Sequence, residues 1–168
     1  MKLSKEILDK LLYELEKTPL VNEKELEERI SMMPQSWPGI KARTNFFTNT
    51  ILTHYSFRNP TLNRIFTELT KRNIKDAVSL HTVEVGAPDV GAVSHIDTHS
   101  HLTINILLED DFEGGEFYLN HKKYDGLREK GDYVLYNGTK EYHEVKPITK
   151  GKRKSLIVWY DEEKTDLF

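Results

Sequence analysis

From residue 77 onward the chain breaks into short apolar runs, each closed by turn residues, and this pattern restricts the fold more than any other feature. The runs cover 78–85, 92–97, 102–108, 116–120, 132–136, 143–148 and 153–161. Between them lie Gly86 and Gly91 flanking Pro88, the polar stretch 98–101, Gly114-Gly115, Lys130-Gly131, Asn137-Gly138 and Lys150-Gly151. Strands of this length and spacing build a sandwich or jelly roll. Before residue 77 the period is helical. Leu3, Ile7, Leu8, Leu11, Leu12 and Leu15 form one stripe with Pro19 just beyond it. Asn22 and Glu25 suggest a capping box for a second helix, and Asn59-Pro60 opens a third carrying Leu62, Ile65, Phe66 and Leu69. The expectation is a mainly β fold in which a helical segment, 1–76, packs on the outside of a β core, 77–168, as one compact unit.

Composition removes several function classes. With no cysteine among 168 residues, disulfide scaffolds, zinc ribbons and thiol catalysis are excluded, and any metal must be held by nitrogen and oxygen. No run reaches the ~18 apolar residues of a membrane span, and charges throughout the first helix argue against a signal peptide. A soluble, cytoplasmic protein with no membrane partner is expected. A net charge of −3 supplies no basic surface for phosphate contacts, which disfavours nucleic acid as a partner.

Within the β region, His95 and Asp97 are two residues apart at the end of a strand, so both side chains can point to one face and chelate one ion. Alone, a His-x-Asp pair is a weak signal. His143 opens a later strand and supplies a second imidazole. Two histidines and a carboxylate are the facial ligand set of non-haem Fe(II) sites, which leaves positions open for a bidentate 2-oxo acid and O2. If Lys150-Gly151 turns 143–148 back against 153–161 as a hairpin, His143 and Arg153 lie about five rungs, or ~16 Å, apart. That span suits a metal-bound five-carbon diacid whose far carboxylate meets an extended arginine.

These pieces resemble the Fe(II)/2-oxoglutarate-dependent dioxygenases, especially their prolyl 4-hydroxylase-like branch. The resemblance runs through His95-Ile96-Asp97, the strand 102–108, Phe112 to Phe117, Lys130 to Tyr136, His143 to Pro147 and Gly151 to Tyr160. It implies a double-stranded β-helix (jelly roll) with iron on His95, Asp97 and His143. It implies 2-oxoglutarate on Arg153 with help from Ser155, O2 as oxidant and ascorbate as a reductant. The implied reaction is hydroxylation of a C–H bond with release of succinate and CO2, on a prolyl residue in a peptide or protein. Where prolyl members of the family place tyrosines against the cosubstrate, this chain has Val85, Ala92 and Leu107, which leaves Asn105 or another tyrosine for that contact.

Two alternatives share the architecture: a cupin-type metal enzyme, which prefers three histidines and a glutamate and gives Arg153 no task, and a non-catalytic jelly-roll binding module. His99 and His101 share the parity of His95 and Asp97 and would be rival ligands on a straight strand, but the polar run 98–101 reads as a loop. His54, His81 and His121 read as structural. Trp159 shares the face of Arg153 and Ser155 and points either to a cavity or into the core. Residues 86–94 and 37–47 are expected at the mouth of the site, with 86–91 as a mobile lid.

Overall fold

The computed structural model describes residues 1–30, 43–47, 49–97 and 100–161. Ser4 caps helix α1 (Lys5–Lys17) by accepting a hydrogen bond from the Ile7 amide, and Leu8, Leu11 and Leu15 bury one stripe of it. The Asn22 side chain accepts from the Glu25 amide at the start of α2 (Glu23–Ile30). The reciprocal half of the expected capping box is absent, because the Glu25 carboxylate turns to the Ser56 hydroxyl and pairs with Arg58. Asn59 caps α3 (Pro60–Thr70), with Pro60 in the first turn, and Lys71 ends it in the left-handed region. Leu11, Leu62, Phe66 and Ile74 pack with Leu80, Ile104, Leu156 and Val158, so α1 and α3 cover the outer face of the larger sheet.

Among the described residues, that sheet has seven strands. Its order is β1 (Arg43–Phe47), β2 (Thr50–His54), β3 (Ser79–Gly86), β11 (Ile148–Tyr160), β5 (Leu102–Glu109) and β9 (Tyr133–Tyr136), with β6 (Phe112–Gly114) paired to the start of β11. The opposing sheet runs β4 (Ala92–His95), β10 (His143–Val145), β7 (Phe117–Leu119) and β8 (Lys122–Lys123). All pairings are antiparallel. This is the expected mainly β jelly roll with N-terminal helices. The described helices include none long and apolar enough to cross a membrane.

Three expectations change. First, the segment before residue 77 is not wholly helical: β1 and β2 extend the larger sheet through the register Leu52 to Val83. Second, Lys150-Gly151 does not fold 143–148 back on 153–161. β10 lies in the smaller sheet and β11 in the larger, and β11 continues through Gly151 in one strand. Gly151 is left-handed, with φ +77°, and a Cβ there would collide with the Asp111 carbonyl. A close backbone approach, not a turn, explains the glycine. Third, residues 86–91 are tied down. The amides of Gly86, Ala87 and Asp89 donate to the carbonyls of Asn49, Gly151 and Ile148, and the Asn49 amide holds the Pro88 carbonyl. Asp89 accepts from the Thr50 hydroxyl and from the Gly91 amide. A segment with its polar groups so committed is a strap rather than a lid. Most of the other expected mouth segment, 37–47, and His99 lie outside the described residues.

Candidate metal and cosubstrate site

The site lies between the two sheets. In β4 and β10, His95 is directly opposite His143, which brings the two rings to a centroid distance of 4.3 Å. Asp97 follows β4, and its amide donates to the Gly138 carbonyl at 2.7 Å, fixing the carboxylate below both rings. Each imidazole is oriented from behind. Nδ1 of His95 bonds the Val93 carbonyl at 2.7 Å, and Nδ1 of His143 bonds the Glu141 carbonyl at 3.0 Å. Both Nε2 atoms therefore face Asp97, at 3.5 Å from His95 and 3.0 Å from His143. One ligand atom from each of the three residues falls within 4.8 Å of the others, and this is the one such group among the described residues. Backbone carbonyls holding Nδ1–H are the usual second support of a metal-bound histidine. Burial pushes the Asp97 carboxyl up, but the hydrogen bonds of His143 and His95 more than reverse this and bring it to about 2. The hydrogen bond to Asp97 raises His95, against the opposing effect of burial.

On the larger sheet the alternation of β11 turns Arg153, Ser155, Ile157 and Trp159 to the same cavity, of about 600 Å³, that the triad lines. Arg153 is 4% exposed. Its Nη1 donates to the Ser155 hydroxyl at 2.9 Å, while Nε and Nη2 are buried without a hydrogen-bond partner among the described residues. Burial lowers the guanidinium to about 10. A buried guanidinium with two idle donors is costly, and an anionic ligand is the natural remedy. Asn105, two strands from β3 on β5, faces the same cavity with its Oδ1 also unpartnered. The chemistry therefore fits the implied groups: an N2O donor set for iron, and a cationic pocket for a dicarboxylate.

The remaining expectations divide. Trp159 faces the cavity. His101 turns away from the triad toward Asp161, at 3.6 Å. His54 and His81 are buried against each other, and the Ser79 hydroxyl bonds Nδ1 of both. His121 stacks on Tyr142 at the surface. Two contributions escaped the sequence reading. Thr50 and Leu52 of β2 line the cavity, and their alternation with Ile51 and Thr53 was the available signal. Tyr136 also lines it, at 5% exposure, and its inward parity with Val134 could have located it.

No curated protein matches the chain. Among solved structures, an oxidoreductase of the 2OG-Fe(II) oxygenase family from Burkholderia pseudomallei is similar at 13% identity and a TM-score of 0.50, with 83% of this chain and 79% of that one covered. The viral collagen prolyl hydroxylase of Paramecium bursaria Chlorella virus-1 is similar at 15% identity and a TM-score of 0.53, with 69% and 81% covered. At these identities the two structures speak for the fold. The family comparison speaks for an oxygenase, with Fe(II), 2-oxoglutarate and O2 as its implied requirements. Residues 81–161, which hold the triad, Asn105, Arg153 and Ser155, match the family model of the 2OG-Fe(II) oxygenase superfamily, and over this β core the resemblance seen in the motifs holds.

Proposed function

We propose that the protein is an Fe(II)- and 2-oxoglutarate-dependent hydroxylase whose metal ligands are His95, Asp97 and His143. The observation that carries this reading is the pairing, across one cavity, of a triad with converging ligand atoms and a buried Arg153 with two idle donors. Bound Fe(II), with 2-oxoglutarate and O2, supplies the oxidising power that inserts one oxygen atom into a C–H bond while succinate and CO2 leave.

The chain's own residues bind and orient. The Val93 and Glu141 carbonyls hold each histidine in the tautomer that offers Nε2. Asp97 contributes a carboxylate that stays ionised across the working pH range. Arg153 receives the distal carboxylate of the cosubstrate through Nε and Nη2. Ser155, whose oxygen already accepts from Arg153, has its hydroxyl proton left to donate, and Asn105 adds its amide from the neighbouring strand. The smaller sheet and the strap at 86–91 supply walls of the cavity through Ala92, His143, Val145, Asp89 and Gly91. A cupin-type reading leaves the idle donors of Arg153 without a purpose.

For the substrate we propose a prolyl residue in a peptide or protein. Support comes from the resemblance at 143–147 and 153–160, and from the uncharged wall formed by Leu52, Val83, Val85 and Ile157, which suits a pyrrolidine ring. The decisive experiment adds Fe(II) and then 2-oxoglutarate anaerobically. A weak visible charge-transfer band is expected, and its absence would defeat the cofactor assignment. Incubation in air with ascorbate and proline-containing peptides should then yield +16 Da products. Succinate release driven by a free amino acid or nucleobase, with no peptide oxidised, would overturn the prolyl part alone.

A further inference from the structure

The run from Phe112 to Gly115 belongs to the motifs legible in the sequence, and neither metal binding nor the cosubstrate pocket gives it a task. Phe112 opens β6 opposite Gly151 of β11, two residues from Arg153. A glycine leaves that rung without a side chain, and a diagonal neighbour in an antiparallel pair is within reach of an aromatic ring. The ring accordingly lies by Arg153, whose guanidinium carbon stands over it at 5.8 Å from the centroid. Arg128 stands over the same ring at 4.6 Å and is tied to β6, donating to the Gly114 carbonyl at 3.0 Å and the Phe112 carbonyl at 3.3 Å. Gly115 completes the fit. Its φ is +66°, and a Cβ there would stand 3.0 Å from the buried Phe112 ring and 3.2 Å from Arg153 Cδ, so ring and arginine stem both close on bare backbone.

We infer that Phe112 is a positioning residue for Arg153: its ring face keeps the buried guanidinium aimed before any anion arrives. The inference rests on the cosubstrate reading above and adds what holds that pocket in shape. An arginine side chain is long and rotamer-rich, and among the described residues this head has one hydrogen bond, to Ser155. Burial and the like charge of Arg128 both disfavour the cation. The negative face of an aromatic ring attracts a guanidinium without occupying any of its N–H groups. Nε and Nη2 therefore stay open for a carboxylate, and the fork is already fixed when one binds. A carboxylate in the place of the ring would hold the head equally well and use up the donors.

The test measures 2-oxoglutarate binding calorimetrically on the Mn(II)-loaded protein under nitrogen. Wild type should bind, and Arg153→Ala should not; a wild type that fails to bind defeats the cosubstrate reading and this inference with it. Position 112 is then filled with progressively fluorinated phenylalanines, which keep the ring's shape while draining its negative face. Affinity for 2-oxoglutarate should fall stepwise along the series, by about two- to tenfold in all, the cost of ordering one unheld long side chain on binding. Affinity for Mn(II) should stay at the wild-type value throughout. Phe112→Leu, which removes the face altogether, should weaken 2-oxoglutarate at least as much as the most fluorinated ring. Should Phe112→Leu fail to fold, the fluorinated series decides alone. Unaltered 2-oxoglutarate affinity along that series overturns the inference while leaving Arg153 its role. A parallel fall in Mn(II) affinity also overturns it, because the ring would then support the cavity as a whole and not the aim of one guanidinium.

Discussion

Oδ2 of Asp97 and Nε2 of His143 stand 3.0 Å apart, although one residue follows β4 and the other opens β10. The contact depends on two backbone bonds made elsewhere, from the Asp97 amide to Gly138 and from the His143 ring to Glu141, so the loop between β9 and β10 sets the triad. Alanine at His95, Asp97 or His143 should therefore abolish binding of one equivalent of Mn(II) or Fe(II), followed by calorimetry. His101→Ala should bind as wild type, since that ring faces Asp161. Loss of metal in His101→Ala with retention in His143→Ala would reverse the assignment.

On the proposed reading, Arg153 is held for binding at a cost to the fold. Arg153→Met keeps an unbranched chain on the cavity floor and removes a buried guanidinium with two unpartnered donors. The ligand-free protein should gain stability by about 1–3 kcal/mol, read as a higher denaturant midpoint. The same variant should lose about 2–5 kcal/mol of 2-oxoglutarate binding, and Ser155→Ala about 0.5–1.5 kcal/mol. A destabilised Arg153→Met protein would mean that the arginine supports the fold.

The strap at 86–91 should exchange slowly. Amide hydrogen exchange of the metal-free protein is expected to show Ala87 and Asp89 protected, because both donate across to β11. Gly91 has φ +75°, and a Cβ there would collide with the Val145 carbonyl. Gly91→Ala should cost at least about 1–3 kcal/mol of stability. Fast exchange at both amides would restore the lid reading.

Tyr160 makes stability depend on alkaline pH. Burial pushes its phenol up to about 12, with the Thr70 hydroxyl and Arg72 working against that rise. The unfolded side chain titrates near ~10, so the unfolded state releases its proton first. The contribution is complete below about pH 10 and disappears as pH rises to about 12, amounting to about 2–3 kcal/mol over that window. Tyr160→Phe should flatten the fall in denaturant midpoint across this range. An equally steep fall in the variant would assign the effect to other groups.

The inward parity of Arg153, Ser155 and Trp159 was legible because a strand alternates strictly, and the facing of His95 and Asp97 followed from the same rule. What the sequence could not disclose was how strands partner. Lys150-Gly151 has the composition of a hairpin turn, yet its glycine answers to the backbone of Asp111, a neighbour far away in sequence. Residues 50–54 are short and rich in threonine, a weak strand signal that became β2 only because β3 offers it an edge. Residues 86–91 look flexible by their glycines and proline, while the bonds that hold them come from Asn49, Thr50, Ile148 and Gly151. Tyr136 gave no chemical sign of itself, since a tyrosine at a strand end is commonplace until its neighbours are known.

The position of β11 between β3 and β5 has a consequence for biosynthesis. The strand at the centre of the larger sheet follows every other described strand of that sheet in the chain, so β3 and β5 are made before the strand that joins them and each emerges with an unpaired edge. During translation the helices and the β2–β3 pair can form locally, but the central register waits for Ile148 to Tyr160. Because Arg153 and Ser155 ride on that strand, a nascent chain halted before it has no anion pocket. On the proposed reading, the pocket for the cosubstrate forms in the same late event that closes the sheet, and the interval before it is when exposed edges most need a chaperone.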